Sequence, residues 1–160
     1  MNQKFEFEYH LLDDSNLLSM EDQELLEAAK KATQTAYAPY SNFYVGAAAR
    51  LSSHAIITAS NQESASFPVG ICAERTLLNS IGSQFTNEKI TVIAISYDPK
   101  GKPSHEPLSP CGMCRQSLLD YETRFQSAIK IIMAGKTGKV MIVSTAKHLL
   151  PFGFDGAILK

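Results

Sequence analysis

A chain of 160 residues has the size of one domain, and no stretch of it reads as a linker between two. Its apolar content is ordinary for a globular protein, and a net charge of −1 argues against a nucleic-acid surface, which needs a clustered basic patch. No apolar run approaches the length of a membrane span and no apolar core follows a basic start, so neither a membrane partner nor a secretory signal is expected.

In chain order, Phe5, Phe7, Tyr9 and Leu11 alternate with Glu6, Glu8 and His10, which predicts a short half-buried strand. Ser19 with Asp22 makes a capping signal for a helix to about Ala36, with Pro39 beyond its end. The stripe Leu25, Ala28, Ala29, Ala32 and Ala36 predicts close packing on a flat surface, a sheet. Two strands follow, Tyr44 to Leu51 and Ala55 to Ser60, joined through Ser52-Ser53-His54. A loop then leads to a helix from Cys72 to Ile81, stopped by Gly82.

Ile90 to Tyr97 reads as a buried strand. Asp98 to Pro110 is a long proline-rich loop, of a kind that often serves function. A helix from Cys111 to Tyr121 precedes strands Ala128 to Ala134 and Val140 to Ser144, with Gly135 to Lys139 turning between them. A short helix near Ala146 to Leu150 leads into the apolar tail Pro151-Phe152-Gly153-Phe154. This order implies a mixed sheet layered with helices. The single domain is expected to span 1–160, with 1–15 as an N-terminal extension.

The chemistry lies in the three cysteines, Cys72, Cys111 and Cys114. Three soft ligands leave one position of a tetrahedral zinc ion for water, which is the pattern of a catalytic rather than a closed structural site. An odd count with two cysteines at CxxC spacing fits metal-bound thiolates in a reducing compartment, so the expected location is the cytoplasm. Both motifs fall at helix starts, where partial positive charge favours thiolate. Glu74, two residues past Cys72, can be a simple dipole partner; beside a metal it can instead shuttle a proton from water to a substrate nitrogen. Arg75 and Arg115 follow the motifs directly and are either surface residues or donors to the cysteine sulfurs that offset their charge.

These motifs resemble one family, the small cytidine deaminases of the three-cysteine zinc class. The stretch from Ala36 to Ala48, AYAPYSNFYVGAA, resembles their opening motif, and Asn61-Gln62-Glu63 their ribose-binding NxE. Cys72-Ala73-Glu74-Arg75-Thr76 and Pro110-Cys111-Gly112-Met113-Cys114-Arg115-Gln116 resemble their two zinc motifs, and Leu149-Leu150-Pro151 with Phe154 their tail. Tyr44 stands where proline or lysine is expected, and Ser64 where asparagine is common.

The resemblance implies an α/β three-layer sandwich, a mixed five-stranded sheet with helices on both faces. It implies one zinc ion per chain on Cys72, Cys111 and Cys114, and hydrolytic deamination of cytidine and deoxycytidine with Glu74 as the proton carrier. Phe43 would lie against the pyrimidine, Asn61 and Glu63 would bind the sugar hydroxyls, and the Ala73 N–H would bind the base carbonyl. The implied assembly is a homotetramer with shared sites, in which Phe154 stacks on a base held by another subunit. Read as residues alone, Phe43 and Phe154 also suit a core. The alternatives are a deaminase of a modified or antibiotic cytosine nucleoside, of blasticidin-S type, and a zinc-binding protein of this fold without turnover. Gly135-Lys136-Thr137 resembles the end of a phosphate-binding loop, but Lys130 stands where that motif needs glycine, so the segment is read as a turn.

Overall fold

The structure, a computed structural model, describes residues 1–159, the side chains of 157 and 158 excepted. Its first strand is β1 (His10–Leu12), later and shorter than the alternation from Phe5 to Leu11 predicts. The reason is the partner: β1 pairs with Val140 to Ile142, and that strand is too short to offer residues 5–9 a ladder. The preceding aromatics turn to the C-terminal segment instead, with Phe5 6.4 Å from Phe152 and Phe7 stacked 5.3 Å from His148.

Ser19 caps α1 (Met20–Ala32), its hydroxyl accepting the Asp22 N–H at 3.2 Å, while Lys30 and Lys31 complement the dipole at the far end. The helix stops short of Ala36. The Thr33 and Thr35 hydroxyls bond back to the carbonyls of Lys30 and Ala32, and the chain tightens into a 3₁₀ turn. The hairpin β2 (Phe43–Leu51) and β3 (Ile56–Ser60) follows as expected.

Helix α2 (Ala73–Gln84) runs through Gly82 rather than stopping there. Gly82 is a contact point: a Cβ on it would come within 2.8 Å of the Tyr121 hydroxyl, which donates to the Leu78 carbonyl at 3.1 Å. Strand β4 (Ile90–Pro99) leads through the long loop to α3 (Gly112–Phe125), which closes on Gln126 in the left-handed region at φ 48°. Strand β5 (Lys130–Ala134) begins two residues later than predicted, because the Ile129 N–H goes to the Glu122 carboxylate at 2.7 Å. Strand β6 (Val140–Val143) and two 3₁₀ turns, Ala146–Leu149 and Gly156–Leu159, follow.

Among the described residues the sheet has six strands in the order β1-β6-β5-β4-β2-β3; the resemblance implied five, and the strand predicted from the N-terminal alternation is the sixth. Only β4 and β5 are parallel, joined across α3, so the sheet is mixed. Alternation along each strand sends side chains to opposite faces. Ala47, Ala49, Ile93, Ile95, Ile131 and Met133 pack with Leu77, Ile81 and Leu118 of α2 and α3. Ala48, Ala94 and Ile132 pack with Leu25, Leu26 and Ala29 of α1. The result is three layers with helices on both faces.

Candidate metal centre and its cavity

Cys72 and Cys111 are the residues directly before α2 and α3, both extended, and their carbonyls accept the first helical N–H bonds from Thr76 and Arg115. Cys114 lies one turn along α3. This places the Cys72 and Cys111 sulfurs 3.8 Å apart and those of Cys111 and Cys114 3.4 Å apart, with all three within 4.8 Å. Thiolates at the usual bond length on a tetrahedral zinc stand about 3.8 Å from one another. Disulfide sulfurs would be roughly 2 Å apart, and all three cysteines are free. The donor set fits zinc.

The sulfurs polarise one another. Hydrogen bonding from Cys114 brings the Cys72 thiol down to about 6, helped by Cys111 and the Arg75 charge and opposed by burial. The same pairing with Cys72 pushes Cys114 up, with burial and the Glu74 charge adding to it. Glu74 is 5% exposed, and burial raises its carboxyl above the usual range, as does the Cys72 charge; its own N–H and Cys114 pull the other way.

A cavity of about 480 Å³ opens on this cluster, lined by Cys72, Ala73, Glu74 and Cys111 from the helix starts and by Phe43, Asn61 and Glu63 from the β2–β3 side. That volume lies in the usual range for a small-molecule site. Phe43 is half-buried and stacks 5.2 Å from the Tyr97 ring. Asn61 uses its amide on β2, accepting from Val45 N–H at 2.8 Å and donating to the Phe43 carbonyl at 3.0 Å. Glu63 accepts from the Tyr40 and Ser41 N–H groups at 2.9 and 3.3 Å and from the Ser41 hydroxyl. Ala73 is fully buried, and as the first residue of α2 its N–H lacks an intrahelical acceptor.

The other expected residues stand further off. Arg115 directs its fork to backbone, Nε to the Pro110 carbonyl at 2.8 Å and Nη1 to the Leu149 carbonyl at 3.0 Å, so it grips the cysteine loop through the residue before Cys111. Arg75 acts on Cys72 through its charge. Phe154 is 59% exposed and outside the cavity lining, with its N–H and carbonyl both held by the Gln116 amide at 3.0 and 2.8 Å. Sequence reasoning missed Ser41, Leu108 and Ser109, which also line the cavity. Ser41 lay inside the quoted motif, and Leu108 and Ser109 lie just before Pro110-Cys111, so adjacency to the motifs was the available signal.

Residues 19–130 match the family model of the cytidine and deoxycytidylate deaminase zinc-binding region. A cytidine deaminase of Halalkalibacterium halodurans is 33% identical over 84% of this chain and 95% of its own length. A blasticidin-S deaminase of Bacillus cereus is 30% identical over 86% and 94%. Among solved structures, the cytidine deaminase of Burkholderia pseudomallei superposes with a TM-score of 0.70 at 34% identity, covering 82% of this chain and 97% of that one. With its three sulfurs, buried acid and layered sheet, this chain belongs to the cytidine and deoxycytidylate deaminase family.

Proposed function

We propose that this protein hydrolyses cytidine and deoxycytidine to uridine and deoxyuridine, releasing ammonia. The observation that carries this reading is Glu74, buried on the cavity wall beside three sulfurs at zinc spacing. Cys72, Cys111 and Cys114 would hold one zinc ion per chain, which would supply Lewis-acid activation of water. Glu74 takes the proton released as the water oxygen bonds to C4 and hands it to the departing nitrogen as the C4–N bond breaks. Buried on the cavity wall, Glu74 keeps that proton out of bulk water between the two steps. Phe43 lies against the pyrimidine, the Ala73 N–H binds the base carbonyl, and Asn61 and Glu63 bind the sugar hydroxyls. Arg75 offsets the thiolate charge by its field, while Arg115, its fork spent on the Pro110 and Leu149 carbonyls, holds the loop before Cys111 in place.

The wider reading follows from the same family. The chain is one domain over 1–160 with 1–15 as an extension, and it works as a homotetramer in which Phe154 reaches a neighbour's site. Among the described residues no helix is long and apolar enough to cross a membrane. Pyrimidine salvage in the cytoplasm is the role that suits a nucleoside substrate. A blasticidin-S type activity is the second reading, supported by the Bacillus cereus relative.

The test is a comparison of kcat/KM for cytidine, deoxycytidine and blasticidin S, followed by ammonia release and ultraviolet absorbance. The two ordinary nucleosides are expected to lead. Preference for blasticidin S would transfer the assignment to the second reading.

A further inference from the structure

The turn that imitates a phosphate loop holds something else. In the loop between β4 and α3, Ser104 is 8% exposed while its neighbours in 100–106 face solvent. Its hydroxyl donates to the Tyr97 carbonyl at 2.7 Å and accepts the Lys136 N–H at 3.0 Å, and its carbonyl accepts the Thr137 N–H at 3.2 Å. The next carbonyl, of His105, accepts the Lys139 N–H at 3.1 Å. The turn is shaped to receive these groups. A Cβ on Gly135 would stand 2.5 Å from the Ser104 carbonyl carbon and 2.9 Å from its hydroxyl, and one on Gly138, at φ 77°, would stand 2.5 Å from the His105 carbonyl oxygen. Gly135 is itself fixed from the other side by Ser96 of β4, whose buried hydroxyl donates to its carbonyl at 3.2 Å.

We infer that the Gly135–Lys139 turn is a dock for the β4–α3 loop, and that Ser104 is a positioning residue for nucleoside binding. The loop is pinned at Ser104 by the turn and at Pro110 by Arg115, and between the pins lie Leu108 and Ser109, both lining the cavity. Leu108 also packs against the core under α2 and α3, so a shift of the first pin moves one wall of the site without touching a sulfur. Ser104 lies outside the cavity lining and outside the cysteine cluster. The catalytic half of this inference rests on the deaminase reading; the docking half stands on geometry.

Ser104→Ala removes one hydrogen bond to the dock, from the Lys136 N–H, and one to the Tyr97 carbonyl of β4, and Gly135→Ala crowds the dock from the opposite side. Each is expected to raise KM for cytidine about three- to tenfold with kcat within about twofold and zinc content unchanged, since only binding geometry is disturbed. Hydrogen exchange of the Lys136, Thr137 and Lys139 amides, which donate into the loop and can be followed without any activity, is expected to speed up in both variants while α3 stays protected. Unchanged exchange in both variants would overturn the dock. Faster exchange with unchanged KM would overturn the positioning role, as would a fall in kcat together with zinc loss. A wild-type protein that deaminates neither cytidine nor deoxycytidine would overturn the deaminase reading, and the exchange result would then decide the dock alone.

Discussion

Both oxygens of Glu63 are engaged by the segment that carries Phe43, through two backbone N–H groups and the Ser41 hydroxyl. Asn61 grips the same segment two residues further on, at Phe43 and Val45. The pair expected to read the sugar is thus also the brace that fixes the aromatic wall. The Ser41 bond, ahead of the two backbone bonds and against some desolvation, holds the Glu63 carboxyl below its ordinary 4.5. A depressed carboxyl stabilises the fold while ionised, so the contribution is complete above about pH 4.5 and is lost as pH falls through the lower folded value. Glu63→Gln should lower the unfolding temperature by a steady, solvent-screened amount between about pH 7 and 5, with the gap to wild type narrowing below. Scanning calorimetry across that range checks it; a gap that widens on acidification contradicts it. The sulfurs and Glu74 were legible because all four stand at helix starts, within a few residues of one another in two motifs. The targets of Arg115 and Asn61 were not, because they are backbone groups brought near by folding, which spacing does not encode.

Local signals placed the elements and long-range contacts moved their ends. The Ser19 cap worked as read, since its partner is three residues away. Gly82 did not stop α2, because Tyr121 of α3 needs the space over it. The first strand slid to His10–Leu12 because the length of β6, not the alternation, limits the pairing. The alanine-rich α1 did foretell close packing, and Gly46 shows how close. A Cβ there would meet the Ala29 carbonyl oxygen well inside van der Waals contact and the Thr33 nitrogen at 2.7 Å. Those are backbone atoms and cannot swing aside. Gly46→Ala should therefore cost about 1–3 kcal/mol of stability as overpacking between α1 and β2. Urea unfolding measures this directly, and a loss below about 0.5 kcal/mol would show that α1 can retreat from the sheet at little cost.

At the scale of the molecule, the mixed sheet sets the starts of α2 and α3 side by side, and the site forms where those starts meet the start of β2, the segment after β3 and the β4–α3 loop. Layering and class were legible from the order of elements. The strand order was not, because each pairing joins residues far apart in sequence, and the sixth strand came from the same N-terminal segment that misled the register. In the proposed reaction Glu74 moves the proton while the three sulfurs hold the metal. Ammonia release from cytidine by wild type and Glu74→Gln, with zinc measured on the same samples, tests it most directly. Zinc is expected near one per chain in both proteins, with a loss of about 10²- to 10⁴-fold in kcat for the variant. Full zinc with turnover within about tenfold of wild type would contradict it.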